Sequence, residues 1–293
     1  VRLISRLTIK FVLTAIIVTG CSLSREARFT DIATRAGFES GTVTSGEYEL
    51  RFYKHQTAAD PNKLTIYLEG DGSPWVTPSI VARDPTARRP TALELMSHDP
   101  GNTLYLARPC YHQPEAPGCP PRMWTDGRYS ELVVDTMADA IRSLTDSSGN
   151  GPDIRLVGFS GGGVLAVLLA ERVPRVTEVV TLAANLDTEG WTRFHRYSKL
   201  GSSLNPAARA PLPEHIHQLH LFGGEDANVP PHLARPFAEK QQNAVVAVVP
   251  DFDHQCCWEA AWSKVLASLS RWTDICSDLR THHRDIDCRR TTD

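Results

Sequence analysis

Short apolar runs recur along the chain, alternating between strand-like and helix-like periods. Across residues 47–52, Tyr48, Leu50 and Phe52 alternate with Glu49 and Arg51, the period of two of a half-exposed strand. Residues 64–68 are more uniformly apolar and read as a buried strand running into Glu69-Gly70-Asp71-Gly72; residues 103–107 read as another, ending at Arg108-Pro109. Over Glu131–Leu144 the period changes. Val133, Met137, Ala140, Ile141 and Leu144 fall on one helical face, with Ser130 placed to cap it. Residues 154–157 are again strand-like, and residues 164–170 are apolar all round, as in a buried helix. Strands are predicted at 179–182, 219–222 and 245–249. A last helix places Trp258, Trp262, Val265, Leu269 and Trp272 on one stripe. Short strands alternating with helices predict an α/β fold, with a mainly parallel sheet covered on both faces.

At 293 residues and 41% hydrophobic, the chain can bury the core of one large domain, placed at residues 37–272. A formal net charge of −3 and the absence of a Lys/Arg run argue against nucleic acid as a partner. The first twenty residues read differently. Arg2, Arg6 and Lys10 precede an uncharged stretch at 11–20, too short to span a bilayer but suited to a secretory signal. Val18-Thr19-Gly20-Cys21 resembles the lipobox of bacterial lipoproteins. That resemblance implies cleavage after residue 20 and lipid modification of Cys21, with a polar tether over residues 21–36. The implied location is the cell envelope; in a Gram-negative cell, Ser22 would permit sorting to the periplasmic face of the outer membrane. Setting Cys21 aside leaves six cysteines, an even number consistent with disulfides in an exported protein. Cys110 and Cys119 bracket a Pro-rich loop and are expected to pair. Cys276 and Cys288, within a tail at 273–293, are a second candidate pair, although either could reach Cys256 or Cys257.

Gly158-Phe159-Ser160-Gly161-Gly162 matches G-x-S-x-G between a strand and a buried helix, the setting of a nucleophile elbow. Such a serine sits at the positive end of the helix dipole, which favours an alkoxide or oxyanion. It needs a base, and the base an orienting carboxylate. Phe222-Gly223-Gly224-Glu225-Asp226-Ala227-Asn228-Val229-Pro230 follows a strand, and His254 follows the last one. The elbow, the G-x-x-D-x-x-V-P segment and the late histidine together resemble the α/β-hydrolase superfamily over residues 64–272, in its chain order of Ser, acid, His. The resemblance implies Ser160 as nucleophile, Asp226 as acid and His254 as base. Glu225, and Asp187 after the preceding strand, are rival acids.

In the same family the loop after an early strand supplies an oxyanion donor from a His-Gly-x-Gly or similar segment. Here it reads Glu69-Gly70-Asp71-Gly72, so the implied donors are the N–H groups of Asp71 and Gly161. A carboxylate at Asp71 departs from the pattern and is expected to turn away, toward Arg108. Residues 188–214 lie where the fold inserts its lid. The segment is short, with Trp191, Phe194, His195 and Tyr197 among Arg193 and Arg196. His215, His217 and His220 could not converge on a metal from one strand, because His220 points away from the other two. The resemblance implies acyl transfer on a small ester-type substrate with no cofactor or metal. A peptidase or amidase, or a binding lipoprotein that kept the fold without catalysis, are the alternatives.

Overall fold

The computed structural model describes residues 24–58, 60–145, 151–283 and 285–291. Cys21 and the signal-like stretch lie outside them. At one edge of the main sheet, β1 (Glu39–Ser45) and β2 (Tyr48–His55) form an antiparallel hairpin. β3 (Lys63–Leu68) is followed by a separate small hairpin, β4 (Trp75–Thr77) with β5 (Ile80–Val81). The remaining strands are β6 (Thr103–Leu106), β7 (Asp153–Phe159), β8 (Val176–Leu182), β9 (His217–Gly223), β10 (Ala244–Val249) and β11 (Asp287–Arg290). The main sheet has nine strands in the order β1-β2-β6-β3-β7-β8-β9-β10-β11. Its six central strands, β6 to β10 in that order, are parallel, and β11 closes the far edge antiparallel to β10.

Alternation along the central strands divides the core in two. Ile66, Leu156 and Val179 face one side with the helices α3 (Glu131–Leu144), α4 (Gly161–Ala170) and α6 (Pro231–Ala238). Tyr67, Val157 and Val180 face the other, with α1 (Arg25–Ala36), α2 (Thr91–Ser97), α7 (Trp258–Leu269) and α8 (Ile275–His282). α5 (Thr188–His195) follows β8, within the segment where a lid was expected. Helix α4 is buried at all ten positions, which explains why its sequence lacks a polar face. Ser130 caps α3 as the pattern predicted, its hydroxyl accepting from the Val133 N–H.

Several differences from the sequence reading have physical causes. From Arg25 onward the supposed tether is helix α1, whose Phe29, Ile32 and Ala33 form a narrow stripe buried on the sheet. Cys276 and Cys288 are bonded, and the tail enters the fold as α8 and β11, covering the otherwise open edge of β10. Helix α7 stops at Leu269. Trp272 lies beyond it, half-buried, and donates to Asn243 Oδ1 at 3.2 Å.

Register fixes where chemistry can collect. Leu68 pairs with Gly158 and Gly158 with Thr181, so the loops after β3, β7 and β8 leave the sheet side by side. Gly223 pairs with Val249, bringing the loops after β9 and β10 to the same carboxyl edge. Open α/β sheets bind ligands outside that edge.

Candidate active site

Ser160 occupies the one-residue turn between β7 and α4, with φ +52° and ψ −122°. A β-carbon is disfavoured in this region, at a cost on the order of 1–3 kcal/mol, and such strain persists only where the surroundings over-determine it. Here the Ser160 N–H donates to Leu182 O of β8 at 2.8 Å, and its carbonyl accepts from Gly163 N–H at 2.9 Å. The flanking glycines are sterically required. A Cβ on Gly158 would run into the Gly162 backbone, and one on Gly162 into the Leu68 carbonyl.

Three loops meet at the serine. His254 Nε2 is 3.0 Å from Ser160 Oγ, and His254 Nδ1 is 2.8 Å from Asp226 Oδ2. The Asp226 side chain is completely buried, and its other oxygen accepts from the N–H groups of Asn228 (2.8 Å) and Val229 (2.7 Å). A carboxylate accepts only, so with Asp226 ionised Nδ1 of a neutral His254 carries the proton and Nε2 is the acceptor that faces the serine hydroxyl. The geometry can therefore move a proton from Ser160 to the imidazole while Asp226 steadies the resulting charge.

The rival acids are elsewhere. Glu225 is exposed. Asp187 caps α5, its Oδ1 accepting from Gly190 N–H and Asn205 Nδ2, each at 3.0 Å. His220 is fully buried beside Thr181 Oγ1 at 2.9 Å, and burial pushes its imidazole down to about 3. His217 meets Asn243 instead, and His215 precedes the strand.

The loop after β3 lies against the elbow. Among the described residues, neither the Asp71 nor the Gly161 N–H donates to another protein group, leaving both for a ligand. The Asp71 side chain does reach Arg108 (2.8 Å) as expected, but it does not leave the site: its Oδ1 lies where a Cβ on Gly161 would stand. Arg128 Nη1 (2.8 Å) and the Tyr129 hydroxyl (2.7 Å) complete its shell, and Tyr111 OH donates to its carbonyl at 3.0 Å. Burial alone would raise this carboxyl; the guanidiniums of Arg128 and Arg108 and the Tyr129 hydroxyl outweigh it and hold it down to about 2. Two buried guanidiniums around one carboxylate leave the cluster net positive, which cancels the repulsion Asp71 would impose on an oxyanion.

Glu69, where the family carries a histidine, serves the fold. Its carboxyl accepts from Gly70 N–H and, at the start of α2, from Ala92 N–H, each at 3.0 Å. Pro90 caps that helix without a side-chain bond, so Glu69 supplies the cap from the loop after β3. Burial raises its carboxyl to about 8 despite these donors.

Sequence reading missed Asn228, Arg128 and Tyr129. Asn228 Nδ2 lies 3.1 Å from His254 Nε2, while its carbonyl accepts from Trp191 Nε1 (2.9 Å) and pairs with His195 Nε2 (2.7 Å). It thus ties α5 to the base. Its place inside the acid segment was a usable signal. Arg128 and Tyr129 precede α3 with no motif around them. Cys110 and Cys119 are bonded, next to Arg108 and Tyr111. Cys256 and Cys257, two and three residues after His254, are bonded to each other, and Gln255 accepts from Arg89.

Family models and curated proteins return no match to the chain. Solved structures do match. A protein assigned as a lipase from Acinetobacter baumannii AYE superposes with a TM-score of 0.56 at 14% identity, covering 87% of this chain and 99% of that one. An esterase of Pyrococcus furiosus gives 0.56 at 18% identity, covering 82% and 93%. The mouse alpha/beta hydrolase domain-containing protein 10 gives 0.53 at 15% identity, covering 80% and 98%.

Proposed function

On the premise that this chain has the α/β-hydrolase fold, we propose that it is a serine hydrolase cleaving a carboxylester or thioester through an acyl-enzyme on Ser160. The observation that carries this reading is the continuous hydrogen-bonded path Ser160–His254–Asp226 at a strained strand-to-helix turn. His254 Nε2 takes the hydroxyl proton as Ser160 Oγ attacks the carbonyl carbon. The oxyanion forms against the N–H groups of Gly161 and Asp71. Its collapse breaks the ester or thioester bond, and the leaving oxygen or sulfur takes the proton from His254. Water then repeats the sequence, with His254 as base, and releases the acid.

The short segment of α5 and the turn after it, with Phe194 and Tyr197 exposed, supports an accessible apolar acyl site. A panel of short p-nitrophenyl esters and the matching anilides tests the reading. Ester turnover with a pre-steady-state burst is expected; preferential anilide cleavage would make the chain an amidase, and turnover of neither would favour a binding role. The lipobox-like residues support a lipid anchor at Cys21 and a place in the cell envelope. Palmitate incorporation that disappears in Cys21→Ala tests the anchor separately.

A further inference from the structure

We propose that the β4–β5 hairpin and the arginines beside it form a docking surface for an anionic lipid bilayer. All three residues of β4 are exposed, and Trp75 (42%), Val76 (63%) and Ile80 (56%) present large apolar side chains to solvent on a hairpin that pairs with no strand of the main sheet. Clustered exposed apolar side chains of this size mark interaction sites. The hairpin base is fixed. Ala82 N–H donates to Pro74 O (2.9 Å), Ser73 N–H to Pro85 O (2.8 Å), and Trp124 Nε1 to Ala82 O (3.1 Å). Its apolar exposure therefore belongs to a firmly held feature.

Charge around it selects the occupant. Residues 73–90 carry Arg83, Arg88 and Arg89 against Asp84 alone, in a chain whose net charge is −3. Arg28, on the first turns of α1, lies along the same loop and donates to Arg88 O at 2.8 Å. Asp84, Glu115 and Asp31 are taken up by Arg25, Arg83 and Arg35. Glu94 and Glu259 share a cleft with Arg28, Arg35, Arg88 and Arg89, where, with Asp31 counted, the four arginines still outnumber the three carboxylates. Arg28, Arg88 and Arg89 are exposed and form no ion pair among the described residues. Exposed apolar side chains on a loop that also carries exposed arginines complement a bilayer whose acyl chains lie beneath anionic headgroups.

The course of the chain points the same way. Arg25, one residue after the first described position, donates to the Asp84 and Thr86 carbonyls, so the N-terminus enters the domain at the hairpin base. Between Cys21 and Ser24 the chain can extend only about 10 Å. That reach argument rests on the anchor proposed above; the hairpin contact does not. Docking would turn the Gly70–Gly72 loop, directly before the hairpin, toward the bilayer, together with the His254 loop that Arg89 touches through Gln255.

The test mixes the full chain with vesicles of phosphatidylcholine, with or without phosphatidylglycerol, carrying brominated acyl chains. Subtracting the fluorescence of Trp75→Phe from that of the wild type isolates Trp75. On phosphatidylglycerol-containing vesicles Trp75 is expected to be quenched by bromine and shielded from iodide, with the effect lost on neutral vesicles and at high salt. Val76→Ser with Ile80→Ser should weaken this contact about tenfold or more, and Arg88→Glu about fivefold or more. Vesicle-bound protein with Trp75 open to iodide would mean tethering by the N-terminal segment alone and would overturn the proposal. So would equal contact with neutral vesicles, or no association. A chain that takes up no palmitate yet shows the Trp75 signal would remove the anchor while upholding the docking surface.

Discussion

Two carboxylates flank Ser160, and they are held by different kinds of partner. Asp226, in the loop after β9, is held by two backbone N–H groups and one imidazole. Asp71, in the loop after β3, is held by two guanidiniums and a phenol. The first arrangement ties the carboxylate to the imidazole that, in the proposed mechanism, takes the serine proton. The second holds the carboxylate in a net-positive cluster beside the N–H groups proposed to receive the oxyanion. The comparison teaches that a carboxylate next to an oxyanion site is tolerable when its charge is already spent on buried arginines.

Breaking each side should therefore damage different properties. His254→Ala and Asp226→Asn should each lower ester turnover by about 10³–10⁴-fold with little change in melting temperature. Steady-state kinetics beside thermal unfolding checks this; equal losses of stability would place Asp226 among the folding residues. On the other side, Arg128→Met strands part of a buried ionic cluster and should destabilise by about 3–5 kcal/mol, read from denaturant midpoints.

The same cluster has a pH signature. Asp71 is held near 2, below its ordinary value of about 3.9. Its contribution is present above that ordinary value and lost as pH falls toward 2. Asp71→Asn should accordingly flatten the acid limb of the stability curve. An unchanged limb would separate Asp71 from acid unfolding. A smaller effect is expected from the neighbouring bridge: replacing Cys110 and Cys119 by serine should cost about 2–3 kcal/mol by the loop-entropy relation, with the triad distances kept and ester turnover within a few-fold.

The two sides also differed in how far they could be read beforehand. Ser160, Asp226 and His254 were legible because each must follow a strand, in fixed chain order, with glycines where backbones touch. Arg128 and Tyr129 were not, because a buried arginine looks like a surface one until its carboxylate is placed. The sheet centre was legible from its apolar runs, whereas β1 (Glu-Ser-Gly-Thr-Val-Thr-Ser) and β11 (Asp-Cys-Arg-Arg) are polar edge strands with weak periodicity. Helix α1 hid its three buried residues among arginines and acids. Glu69 was seen only as a departure from the family, and its part as a remote helix cap needed the tertiary contact with α2.

The most direct measurement of the central claim is covalent labelling of the folded chain by a fluorophosphonate, with the modified residue located by mass spectrometry. A single adduct on Ser160 is expected, absent in Ser160→Ala and slowed by orders of magnitude in His254→Ala. A folded wild-type chain that stays unlabelled, or an adduct on another serine, would contradict it.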